Sequence, residues 1–104
     1  MAKRARITTI GGKSWRIEYA HIADYGHCEY GSCRRTRRIR INPNQSDEAL
    51  LDTLIHEVLH AQDWDLDENA VARRATEMRT AICKMFRVSR IGRGLSNQSA
   101  QADE

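Results

Sequence analysis

Leu50-Leu51-Asp52-Thr53-Leu54-Ile55-His56-Glu57-Val58-Leu59-His60 decides how this chain is read. Leu50, Leu51, Leu54, Ile55, Val58 and Leu59 recur at helical spacing and make one apolar stripe. Ser46 suits the N-cap, and Asp47 and Glu48 suit the positive end of the helix dipole. The spacing predicts a helix from there to about Gln62. His56 and His60 stand one turn apart on the same face of that helix. Two imidazole nitrogens at that spacing can reach one ion at roughly 2.0–2.1 Å. Glu57 is one position on, beside the metal-reaching side chains rather than among them. Zinc lowers the pKa of a bound water to about 7, where a neighbouring carboxylate can take up its proton. The apolar stripe packs one side of the helix and leaves the His-Glu-x-x-His motif on another, the context that this motif requires.

Outward from the helix, the chain has 104 residues, enough for one domain with a modest core. Residues 1–45 carry ten Lys/Arg and three Asp/Glu, and residues 46–104 carry seven and eleven. The acidic half suits a cation site, and the basic half suits an acidic partner. Three cysteines at unremarkable spacing argue against a disulfide framework and for a reducing compartment. No apolar run is long enough to span a bilayer, and Met1 to Arg6 lacks the apolar stretch of a signal peptide. The expectation is a cytoplasmic protein, of a host or bacterial cell, with no membrane partner.

Before the motif the sequence reads as strands. Ala5 to Ile10 and Ser14 to Ala20 flank Gly11-Gly12, a hairpin turn. Trp15, Ile17 and Tyr19 alternate with Arg16 and Glu18, the period of a half-buried strand. Ala23 to Arg35 reads as a loop. In Arg37 to Ile41, Ile39 and Ile41 face one way, Arg38 and Arg40 the other, and Pro43 ends the strand. After a break at Asp63 to Asp67, a second helix is predicted from Asp67 or Glu68 to Phe86. Its stripe is Val71, Ala75, Met78, Ile82 and Met85 or Phe86. The domain is expected over residues 1–90, with a disordered tail over residues 91–104.

A catalytic zinc takes three protein ligands and keeps one open position. Glu68 is the preferred third ligand if the second helix folds back on the first. Asp67 is the alternative, with an N-cap role as its structural reading. Asp65 is a further one, as is Asp63, as ligand or as a partner orienting a histidine. His21, His27, Cys28 and Cys33 offer a second possible cluster, but no Cys-x-x-Cys occurs. The run Arg34, Arg35, Arg37, Arg38 and Arg40, with Lys3, Arg4 and Arg6, is basic enough to bind a phosphate backbone. Equally, it is the charge that protects a sheet edge.

Gly26-His27-Cys28, Arg38-Ile39-Arg40-Ile41 and Leu50 through His60-Ala61 together resemble the small SprT-like zincins. Asp63-Trp64-Asp65-Leu66-Asp67-Glu68 with Ala70-Val71 resembles short metallopeptidases of phages and prophages. The likeness covers roughly residues 5–87. It implies an α+β fold, a minimal zincin whose small, mainly antiparallel sheet packs on the motif helix, followed by a second, C-terminal helix. It also implies His56 and His60 as zinc ligands and Glu57 as general base. SprT-like proteases take their third ligand from a distant downstream histidine. No histidine follows His60 here, which favours an acidic third ligand.

The expected function is zinc-dependent peptide hydrolysis, with Glu57 as base and with Tyr25, Tyr30 or an arginine of the basic strand as a donor to the oxyanion. A sheet edge near Arg37 to Ile41 would bind the peptide by strand addition. The alternative is a nucleic-acid-associated binding protein with a structural or vestigial zinc site. A third possibility is an accessory phage protein acting through protein contacts alone.

Overall fold

A computed structural model describes residues 5–31, 33 and 36–91. Its elements in chain order are β1 (Arg6–Ile10), β2 (Lys13–Tyr19), β3 (Gly26–Glu29), β4 (Arg38–Ile41), α1 (Asp47–Gln62) and α2 (Glu68–Met85). The strands form one mixed sheet in the order β1-β2-β4-β3. The fold is therefore α+β, a four-stranded sheet with two helices.

Local chemistry explains most of these elements. Gly11 and Gly12 both have positive φ, 59° and 80°. A two-residue turn of that kind matches the twist of antiparallel strands and disfavours side chains. It pairs Thr8 with Trp15 and Ile10 with Lys13. β2 then runs parallel to β4, with Ile17 opposite Ile39 and Tyr19 opposite Ile41. β3 pairs antiparallel with the other side of β4, Cys28 opposite Ile39. The alternation in β2 and β4 turns Trp15 and Ile39 into the core, where both are fully buried. Burying a side chain of this size contributes roughly 1.5–3 kcal/mol.

Two expectations are corrected here. The segment Ala23 to Arg35, read as a loop, contains β3. In consequence Arg37 to Ile41 is not at the sheet edge: β4 lies inside, and β1 and β3 are the edge strands. β3 has only four residues, one a glycine and two polar. It is held by its partner strand, because Glu29 takes Arg38 Nε at 3.1 Å and Nη2 at 2.8 Å.

Ser46 caps α1, its side chain accepting from the Ala49 N–H at 3.2 Å. The single stripe expected on this helix divides between two neighbours. Leu50 and Ala61, with Leu54 and Val58, pack on Ile10, Trp15, Ile39 and Ile41 of the sheet. Ile55 and Leu59 pack instead on Val71, Ala75 and Leu66. α1 is thus clamped between sheet and α2. The second stripe is only half covered. Met78, Met85 and Phe86 are exposed, and Arg79 of the same helix pairs with Asp52 of α1 at 3.2 Å. Beyond α2, Arg90 ties the chain back to the start of α1. It donates to Asp47 Oδ1 at 2.7 Å, to the Pro43 carbonyl at 2.8 Å and to the Gln45 carbonyl. The expected tail lies outside the described residues apart from Ile91.

Among the described residues, no helix is long and apolar enough to cross a membrane.

Candidate metal centre

With two sides of α1 covered, a third side carries Asp52, Thr53, His56 and His60 along one row. The ring centroids of His56 and His60 are 5.0 Å apart. The turn after α1 is short and fully bonded. The Asp63 N–H donates to the Leu59 carbonyl at 3.0 Å, and the Leu66 N–H to the Asp63 carbonyl at 3.1 Å. Leu66 anchors the turn in the apolar contact between the helices. Asp67 then caps α2, accepting from the Ala70 N–H at 3.1 Å. The first residue of α2, Glu68, is thereby aimed back at the motif. Its Oε2 lies 2.9 Å from His56 Nε2, and its Oε1 lies 2.8 Å from His60 Nε2.

These donor atoms all lie within 4.8 Å of one another, and no other such group of His, Cys, Asp and Glu forms among the described residues. Donors placed tetrahedrally at zinc distances stand roughly 3.4 Å apart. Two imidazoles and a carboxylate at this spacing fit one ion with small side-chain rotations. Asp63 and Asp67 are occupied elsewhere. Asp67 is the cap just described, and Asp63 Oδ1 accepts from the Asp65 N–H at 3.3 Å.

Glu57 lines the same cavity of about 980 Å³ as His56, His60 and Glu68. It is 7% exposed and makes no hydrogen bond or ion pair among the described residues. Burial pushes its carboxyl above the usual carboxylate range, and the adjacent His56 and His60 pull it back. The wall facing it is β3. Gly26 lies so close to α1 that a Cβ there would sit 2.6 Å from Thr53 Cγ2 and 3.4 Å from Glu57 Cγ. Cys28, half-buried beside Glu57, has its thiol pushed up to about 12, first by burial and then by the charges of Glu57 and Glu29.

The second cluster does not assemble. His27 Nε2 is 3.0 Å from Glu29 Oε2. Cys28 faces the core, Cys33 is exposed and bonded to Thr36, and His21 is exposed. Of the two loop tyrosines considered, only Tyr25 lines the cavity. Tyr30 lies between Trp15 and Trp64, at ring centroid distances of 5.7 and 5.3 Å.

The basic run is largely engaged within the sheet. Arg37 donates to the Ser14 and Gly31 carbonyls at 2.9 and 3.3 Å. Arg38 holds Glu29, and Arg40 Nε donates to Glu18 Oε2 at 3.0 Å. Arg34 and Arg35 lie outside the described residues, as do Lys3 and Arg4.

Sequence reasoning missed the cavity wall formed by Asp24, Gly26 and Thr53. Its signal was the glycine, which in a strand marks close approach of another backbone. Comparison with protein-family models, curated proteins and solved structures finds no match to this chain.

Proposed function

We propose that this protein is a zinc-dependent peptide hydrolase with a minimal zincin architecture, its metal held by His56, His60 and Glu68. The observation that carries the reading is the convergence of Glu68 on both motif histidines, 2.9 and 2.8 Å away, across the α1–α2 turn. An unpaired, buried Glu57 beside that group supports it. Zinc, when bound, supplies Lewis acidity toward water and the scissile carbonyl.

The chain's own residues do the rest. Glu57 accepts the proton of the attacking water and returns it to the leaving amine. The polypeptide lies along β3, whose Gly26, His27 and Cys28 line the cavity and whose outer edge has no strand partner among the described residues. Main-chain hydrogen bonds to that edge would draw an extended peptide across the motif. The nucleic-acid alternative draws no support from Arg37, Arg38 and Arg40, whose guanidinium groups are bonded within the fold.

The test is metal content by mass spectrometry, with hydrolysis of a fluorescently labelled unfolded protein, for wild type and Glu57→Gln. One zinc per chain in both, with turnover reduced at least about 100-fold in the variant, is expected. A wild type that takes up no metal, or a variant that still turns over, refutes the reading.

A further inference from the structure

The cavity over the motif continues into a second one. This has a volume of about 510 Å³ and shares Tyr25, Asp52 and Thr53 with the first. One face of α1 floors both, through Ala49, Asp52, Thr53, His56 and His60 at helical spacing. At 1.5 Å per residue this floor is roughly 16 Å long, room for about five residues of extended chain.

The groove has one sign of charge. Asp24, Glu48, Asp52, Glu57 and Glu68 line it, and the cation among the described lining residues is Arg79, paired with Asp52 at 3.2 Å, so that a bound zinc offset by Glu57 and Glu68 still leaves Asp24 and Glu48 unbalanced. Asp24 makes no ion pair among the described residues. Glu57 is buried, unpaired and open to the same space. At the junction of the two cavities stands Tyr25, 74% exposed. Its ring is presented by a fixed backbone, since the Tyr25 carbonyl accepts from the Asn42 N–H at 2.8 Å and from Gln45 Nε2 at 3.2 Å. An exposed tyrosine next in sequence to a carboxylate that lines the same acidic groove is a setting in which an ammonium or guanidinium group can gain both charge attraction and cation–π contact.

We propose that this groove selects basic polypeptides, with a Lys or Arg side chain of the substrate held between the Asp24 carboxylate and the Tyr25 ring. The inference rests on the peptide-binding part of the reading above and names its substrate class.

The test measures binding, so that it does not depend on turnover. Fluorescence anisotropy is read for full-length Glu57→Gln, with and without one equivalent of zinc. The probes are two labelled ten-residue Gly/Ala peptides that differ only in carrying two Lys or two Glu. The Lys peptide is expected to bind at least tenfold more tightly, less so in 0.5 M NaCl. Asp24→Asn and Tyr25→Ala, each added to Glu57→Gln, are expected to lower that preference at least threefold, and Tyr25→Phe to restore what Tyr25→Ala loses. Equal affinities, no binding of either peptide, or a preference unmoved by Asp24→Asn overturns the proposal. Wild-type turnover on a mixed peptide pool separates the two ideas. Hydrolysis without enrichment of Lys or Arg near the cleaved bond refutes the groove assignment alone. A Lys preference in binding without any hydrolysis upholds the groove and refutes the catalytic reading.

Discussion

His60 Nε2 lies 2.8 Å from Glu68 Oε1 although a helix end, a turn and a helix start separate the two residues. Glu68 is mostly exposed, so burial does not hold it there; the capped turn does. Asp67 makes that cap, and the two acidic neighbours therefore answer to different substitutions. Glu68→Ala is expected to remove zinc from the purified chain and leave the fold intact. Asp67→Ala is expected to weaken zinc binding without removing the metal, and to lose about 1 kcal/mol of stability through the lost cap. Metal analysis and urea unfolding of both variants check this. Zinc retained in Glu68→Ala would transfer the third-ligand role to another group.

How much of this was legible in the sequence depended on how local the cause was. The Ser46 cap, the Gly11-Gly12 turn and the spacing of His56 and His60 act within a turn or two, and each is found as expected. Glu68 was legible as a candidate because the break before it is short. β3 was not. Its four residues carry no apolar alternation, and its stability comes from Arg38, which belongs to another strand. The groove was hidden for the same reason, since Asn42 and Gln45 place Tyr25 against α1 from a distance in sequence. Nor could the spacing on α1 show that Leu54 and Ile55, adjacent in sequence, serve different neighbours.

The approach of β3 to α1 gives a steric prediction. A Cβ at position 26 would meet Thr53 Cγ2 at 2.6 Å and the Arg40 carbonyl oxygen at 3.3 Å. Gly26→Ala is therefore expected to cost about 1–3 kcal/mol, the range for overpacking. Thr53→Ser removes that methyl and keeps the hydroxyl, which donates to Gln45 Oε1 at 2.9 Å. The double variant should recover most of the loss. Urea unfolding of the four proteins gives the coupling directly. Purely additive effects would show that Thr53 is not what Gly26 avoids.

The cysteines give a chemical one. Thiolate is the reactive form, and burial with Glu57 and Glu29 nearby pushes Cys28 to about 12. Cys33 is exposed. At pH 8, iodoacetamide is expected to label Cys33 well before Cys28 in the folded chain, with both labelled at similar rates in urea. Peptide mapping by mass spectrometry reads the order. Equal labelling in the folded chain would mean that β3 does not hold Cys28 against the core.

Glu29 gives a prediction in pH. Its carboxyl is held below the ordinary value of 4.5, chiefly by the hydrogen bond from Arg38 and further by that from His27 and by the charges of Arg38 and Arg40. Between the two values the unfolded chain binds the proton and the folded chain does not. The stability Glu29 contributes is therefore complete above about 4.5 and is lost as pH falls through the lowered value. The group is partly exposed, so solvent screening limits the contribution to at most about 1 kcal/mol. Glu29→Gln is expected to be less stable than wild type by up to that amount at pH 7. The gap should narrow in high salt and narrow progressively as pH falls below about 4.5. Thermal unfolding of both proteins across pH 3–7 measures it. A gap that stays constant to pH 3 would show that Glu29 acts through packing, so that charge pairing with Arg38 is not what fastens the edge strand to the sheet.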